Sequence, residues 1–246
     1  MFDCFVNFVT IMVKMKGVNI MKNSNMKFTV ILTLAVVILL AAIVVISSNQ
    51  AHEESEIVRE EVDITGQPIL GEADAPVTVV EFGDFKCPSC KAWGDTIYPQ
   101  LVEDYVLSGD VKFSYVNVLF HGNESVMAAL GAESVFKQDP KVYWDFHKKV
   151  FAEQPEVSNH DDAWVTTEKL LEVASEFPTI NQEQLKQDVD QALAADQVTI
   201  DEELYKKHKV SQTPTINING ITIEDPFDYE AIKEVIDQEL GVDKNE

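Results

Sequence analysis

A β-branched run that stops five residues short of a cysteine pair sets the tightest condition on how this chain folds. In "VTVVEFGDFKCPSCKAWGD", Val77–Phe82 reads as a buried strand, Cys87 and Cys90 stand two residues apart, and a helix begins near Pro88. Strand, turn and helix therefore meet at Cys87. The first turn of that helix leaves backbone N–H groups unpaired and turns the positive end of its dipole toward the sulfur, which favours a thiolate. Lys86 adds positive charge beside it. Cys90, one turn further in, is expected to be more buried and to keep the higher pKa.

Only one other cysteine exists, Cys4, and it precedes a long apolar segment. Three cysteines are too few for a disulfide scaffold, so the fold must stand on packing. Zinc would need two ligands beyond the pair, and the domain has no second CxxC or HxxxH pairing, so no metal is assigned. Two readings remain at this point: a redox couple, or a non-catalytic binding module closed by a structural disulfide. A four-residue ring at a helix start is strained and exposed, which suits exchange better than reinforcement.

The formal net charge of −23, from 19 basic and 42 acidic residues, excludes nucleic acid as a partner. The acidic residues are spread over several predicted helices and read as solvated faces. Calcium is a candidate ligand without an assigned site, since no run has the spacing of a calcium loop.

Between Phe28 and Ile46 the chain has nineteen residues without a charge, enough to cross a hydrocarbon layer of about 30 Å. Lys14, Lys16, Lys22 and Lys27 precede it and an acidic stretch follows, which orients the amino end to the cytoplasm and the large domain outside. The apolar stretch exceeds that of a cleaved signal peptide, and "SSNQA" is a poor cleavage site, so an uncleaved anchor is expected. The organisation is then a cytoplasmic extension over 1–27, whose true start is open given Met12, Met15, Met21 and Met26, an anchor over 28–46, a linker over 47–72, and a domain over 73–246. Outside the cytosol, a disulfide at Cys87–Cys90 can form and persist.

Within the domain, Trp93, Ile97, Leu101 and Tyr105 recur every fourth residue on one helix face, with Pro99 expected to kink the helix near Asp95. Val111–Leu119 reads as a second strand. About 121–208 is helical in pattern and broken by Pro140, Pro155 and Pro178, with Trp144, Phe146, Trp164 and Phe177 as its core. His121 reads as a helix-entry residue leading into that block, with a groove residue as the alternative. Asn219-Gly220 between "TIN" and "ITI" signals a β-hairpin, and Asp228 caps a last amphipathic helix.

This order resembles the DsbA family of extracytoplasmic thiol-disulfide oxidoreductases, most of all its membrane-anchored, BdbD-like branch in Gram-positive bacteria. "CPSC" at Cys87–Cys90, "TPT" at Thr213–Thr215 before the hairpin, and Glu81 six residues before Cys87 carry the likeness, which spans roughly Val77 to Leu240. It implies an α/β thioredoxin fold with an inserted helical domain, preceded by one transmembrane helix. It further implies Cys87 as nucleophile, Cys90 as resolving thiol and Glu81 as a proton relay. Pro214 would be cis, and Thr213, Pro214, Pro88 and Ser89 would meet the substrate. The implied activity is insertion of disulfides into exported proteins, with no cofactor beyond the redox-active pair and with a DsbB-type, quinone-reducing membrane protein as reoxidant. A reductase or isomerase is the runner-up. Ser89 departs from the histidine of the best-known members, which implies a milder oxidant.

Overall fold

The structure, a computed structural model, describes residues 59–155 and 163–242. The expected cytoplasmic extension, the anchor at Phe28–Ile46 and the linker as far as residue 58 lie outside the described residues. Among the described residues no helix is long and apolar enough to cross a membrane.

Five strands form one sheet: β1 (Ile69–Leu70), β2 (Val77–Gly83), β3 (Val111–Asn117), β4 (Thr215–Ile218) and β5 (Ile221–Thr222), in the order β1-β3-β2-β4-β5. Only β2 and β3 run parallel; β1 joins β3, β4 joins β2 and β5 joins β4 antiparallel. The β2–β3 crossover is helical, as a parallel pair requires. α1 (Pro88–Thr96) and α2 (Tyr98–Leu101) form it, followed by a wide turn in which the Leu107 N–H reaches back five residues to the Val102 carbonyl.

The expected kink appears as an interruption of the helix at Ile97, whose backbone stays right-handed. Pro99 has no N–H to give the Asp95 carbonyl, and the chain interrupts at Ile97 before restarting with Pro99 in the first turn of α2. The periodicity survives it: Trp93, Ile97, Leu101 and Tyr105 are all buried against Phe113, Ile216, Ile218, Ile232 and Ile236. Each such side chain contributes about 1.5–3 kcal/mol by leaving water.

β3 ends at Asn117, two residues before the expected Leu119. The helical block follows as α3 (Asn123–Gln138), α4 (Tyr143–Ala152), α5 (Thr167–Ala174), α6 (Gln182–Asp190) and α7 (Ala195–Lys207). Pro140, Pro155 and Pro178 fall between its helices. Phe146 and Phe177 are core residues and Trp144 and Trp164 pack against them. Asn219 and Gly220 turn the β4–β5 hairpin with positive φ (45° and 87°), and the Asp228 side chain accepts from the Ala231 N–H at 3.0 Å to start α8 (Tyr229–Glu239).

One boundary needs correction. The segment assigned as linker up to residue 72 is already part of the domain from residue 59: Val62 and Gln67 are buried and Ile69–Leu70 pairs with Ser114 and Phe113. A two-residue strand has no periodicity to read, and its Gly and Pro neighbours signal a loop.

Candidate active site

Side chains alternate across a strand, so Val77, Val79 and Glu81 of β2 share the face under α1, while Val80 and Phe82 pack on the other side with Val116, Leu204 and Tyr205. Glu81 is thereby carried into an interior position, registered against Tyr115 of β3 and Ile216 of β4. Gly83 leaves them room: a Cβ there would collide with the Tyr115 ring and meet Glu81 Oε1 at 2.9 Å. Glu81 is 2% exposed, and its Oε1 has no hydrogen-bond partner. Burial, and then the charge of Cys87, push its pKa well above the usual carboxylate range.

Cys87 is the N-cap residue of α1. Pro88 and Ser89 are exposed, so the loop presents its rim to solvent while both thiols, which are free, sit just beneath. The Thr213–Pro214 peptide is cis, and the Cys87 thiol donates to the Thr213 carbonyl at 3.4 Å. Thr213 is half-buried and Pro214 is buried beside the sulfur.

The two thiols are driven apart in acidity. Cys87 falls from 9.0 to about 5: a hydrogen bond from the Cys90 thiol contributes most, burial opposes it, and the Thr213 side chain and the backbone N–H groups of Cys90 and Ser89 add to the lowering. The helix amides anticipated from sequence act, but the neighbouring thiol acts more strongly. Cys90 moves well above 9.0, chiefly by burial, and then because its thiol already donates to Cys87 and faces the charge of Glu81. Lys86 pairs with Glu124, whose other oxygen accepts from the Trp164 and Val165 N–H groups at 2.8 and 2.9 Å.

Sequence reading missed several residues here. Tyr115, Phe85, Phe151 and His147 form an aromatic cluster behind the thiols, with Tyr115 and His147 centroids 4.5 Å apart. Burial lowers the His147 pKa to about 3, so it serves as a neutral ring. A groove of about 570 Å³ between α1 and α4, lined by Tyr98, Trp144 and His147 among others, reaches down to Glu81 and Cys90. Asp84 was the one legible omission, because an aspartate two residues before an N–H that must turn is an Asx-turn signal. His121 does lead into α3, with Nδ1 2.7 Å from Asp84 Oδ2.

A second polar centre joins residues far apart in sequence. Asn117 Nδ2 donates to Glu133 Oε1 at 3.1 Å and to Asp201 Oδ2 at 2.7 Å, and Gln67 Nε2 donates to Asp201 Oδ1 at 2.6 Å. Burial raises the pKa of both acids, and for Glu133 the charge of Asp201 adds to the rise. Asn117 Oδ1 is buried without a partner. Among the described residues no three His, Cys, Asp or Glu side chains gather as a metal set.

Comparison with known proteins agrees with this geometry. A protein-family model described as thioredoxin matches residues 63–238. Disulfide bond formation protein D of Bacillus subtilis is 47% identical over 193 residues, covering 78% of this chain and 86% of that protein. The probable disulfide bond formation protein D of Bacillus anthracis is 37% identical over 175 residues, 71% of this chain and 78% of that one. Among solved structures, oxidised BdbD from Bacillus subtilis superposes with a TM-score of 0.72 at 47% identity, covering 75% of this chain and 98% of that one. Chlamydia trachomatis DsbA shares the fold at 21% identity, with a TM-score of 0.63 over 72% of this chain and 93% of its own.

Proposed function

The chain belongs to the DsbA-like thioredoxin family of disulfide bond formation proteins, and from that premise we propose that it works as an oxidant, handing the Cys87–Cys90 disulfide to exported proteins. It is a thiol-disulfide oxidoreductase by kinship. The direction of exchange is supported by one observation above the others, the split in acidity between Cys87 and Cys90.

A client thiolate attacks Cys87 Sγ, the Cys87–Cys90 bond breaks, and Cys90 leaves as a thiolate that takes a proton. Glu81 supplies it, being a buried carboxyl that holds its proton unusually well. A second client thiolate then attacks the client sulfur of the mixed disulfide and expels Cys87. The client has lost two electrons, and the protein is left with Cys87 as a thiolate, Cys90 as a thiol and Glu81 as a carboxylate that regains its proton from solvent. Expulsion is easy because Cys87 is stable as an anion. A thiol at about 5 lies about two units below neutral pH, which favours the reduced form by about 2.7 kcal/mol, or about 60 mV. That position falls between thioredoxin, near 7, and DsbA, near 3.5. A milder oxidant, consistent with Ser89 in place of histidine, is the result.

Thr213 and Pro214 carry the substrate-facing backbone in this reading, with Pro88 and Ser89 on the opposite rim. The charge-free segment Phe28–Ile46, behind its lysines, supports a single-pass anchor that leaves the domain on the extracytoplasmic side. Clients would then be exported, still unfolded chains, and a DsbB-type protein that passes electrons to quinone would restore the disulfide. Calcium, expected without a site, is best supported at the second polar centre. The Glu133 and Asp201 carboxyls and the unpartnered Asn117 Oδ1 are oxygen donors of the kind a hard cation takes, while the Asn117 and Gln67 amide nitrogens donate to the carboxyls. Bound there, calcium would neutralise Glu133 and Asp201 and brace β3 against α3 and α7, without entering the exchange.

The test is the equilibrium of the Cys87–Cys90 couple in a glutathione series. A potential well above the roughly −270 mV of thioredoxin supports the oxidant, and a value at or below it assigns the protein to the reductases. Cys87→Ser should abolish reduction of the domain and rescue of exported disulfide proteins together.

A further inference from the structure

Asp84 is 1% exposed and has no part in the exchange as written above. Its carboxyl gathers four donors: the Lys86 N–H to Oδ1 at 2.9 Å, and to Oδ2 the Phe120 N–H at 3.0 Å, the Ser125 hydroxyl at 2.8 Å and the His121 ring at 2.7 Å. These come from the turn before Cys87, from the segment leading into α3 and from the first turn of α3 itself, so one side chain ties the redox turn to the helical block.

Its main chain meets both cysteines. The Asp84 carbonyl accepts from the Cys87 N–H at 2.9 Å, and the Asp84 N–H points at Cys90 Sγ at 3.4 Å. The second contact bears on chemistry. When client sulfur attacks Cys87, the electron pair of the broken S–S bond goes to Cys90, whose sulfur becomes an anion in a buried place. Burial resists that charge, and the rate of exchange depends on how well the leaving thiolate is accommodated. A fixed N–H aimed at the atom where charge develops lowers that barrier, as donors do in an oxyanion hole.

We infer that Asp84 is the positioning residue of the leaving step: its carboxyl, held by four donors, fixes the peptide whose N–H receives the departing Cys90 sulfur. The inference rests on the exchange reading of the pair. Cys87 leans first on the Cys90 thiol and then on the Thr213 side chain and the Ser89 and Cys90 amides, none of which is the Asp84 N–H, so the donor at Cys90 Sγ can be removed without removing those groups.

The experiment follows two rates in the full-length protein. Opening of the oxidised pair by excess reduced glutathione reads the leaving of Cys90; the pH midpoint of Cys87 alkylation in the reduced protein reads the other support. Asp84→Ala should slow opening about tenfold and leave the alkylation midpoint in place. A semisynthetic protein with an ester in place of the Asp84 amide keeps the carboxyl and removes only the N–H, and it should show the same tenfold loss. Opening of the ester protein at the unmodified rate overturns the inference, whether or not Asp84→Ala folds. So does an Asp84→Ala protein in which opening and alkylation midpoint shift in step, since that reports a loosened turn. If glutathione fails to open even the unmodified protein, it is the exchange reading that falls.

Discussion

Glu81 and Glu133 are both glutamates held in the interior, and the protein treats them in opposite ways. Glu133 is answered by the Asn117 amide and belongs to a network that also satisfies Asp201 through Gln67. Glu81 Oε1 is answered by nothing, and the same interior holds two thiols. A buried polar group normally finds partners because leaving it unsatisfied costs about 1–3 kcal/mol. The network around Glu133 is nearer the ordinary solution, though it leaves Asn117 Oδ1 unpartnered, whereas the unsatisfied Glu81 is what the proposed proton relay to Cys90 would require.

The contrast predicts that only the Glu81 side responds to redox state, and the largest effect should appear in stability. Folded Cys87 sits near 5 and an unfolded cysteine near 8.5. Because the folded value is depressed, the stabilisation is fully present above about 8.5 and is lost as pH falls through about 5. Urea unfolding should therefore show reduced protein gaining on oxidised protein as pH rises across that window, by less than the Cys87 shift alone would give, because the Cys87 charge also raises the pKa of Glu81. Above it, the raised pKa of Cys90 acts in the other direction, and the gain should shrink. A difference that stays flat with pH would remove the acid thiol from the argument.

The Glu133 side should respond to pH equally in both redox forms. Its raised folded pKa contributes stability at low pH that is lost as pH rises beyond the unfolded value of about 4.3. Without divalent cations, each proton held in excess by the folded state costs about 1.4 kcal/mol per pH unit. Glu133→Gln should make that slope shallower, and millimolar calcium should restore stability to the parent protein and not to this variant. An unchanged slope would mean that Glu133 and Asp201 do not carry it.

The contrast also sorts what the sequence could disclose. Cys87, Cys90 and the Asn219-Gly220 turn belong to short stretches whose local chemistry dictates their conformation, and the apolar run of β2 was enough to bury Glu81; the cis bond at Pro214 was legible only through the family resemblance, since local sequence alone favours trans. Gln67 comes from the loop before β1 and Asn117, Glu133 and Asp201 from β3, α3 and α7, and no spacing announces that these will meet. β1 was hidden for a related reason, since two residues pair only because β3 is already there. Asp84 lay in between, legible as an Asx turn but not as a neighbour of Cys90.

Removing the carboxyl of Glu81 while keeping its shape gives a smaller effect. Glu81→Gln should slow glutathione opening of the oxidised pair by about tenfold, less than general acids usually contribute, because a thiolate can leave before it is protonated. Stopped-flow rates against pH should lose the acid limb attributable to Glu81, and the calcium response of the Glu133 centre should not change. A variant with the parent's rate and pH profile would reduce Glu81 to a tolerated buried charge.

The smallest effect concerns the rim. Ser89 is exposed at the second position of α1, where an imidazolium would add charge next to Cys87 but would share it with solvent. Ser89→His should lower the alkylation midpoint of Cys87 by at most about one unit and raise the potential by at most about 30 mV, since each unit of thiol acidity carries that much. Both shifts should appear together, because they are one free energy read in two ways, and neither should touch the pH slope set by Glu133. A potential that rose while the alkylation midpoint stayed in place would show that the histidine acts on the disulfide rather than on the thiolate, and the comparison would have to be redrawn around the oxidised state.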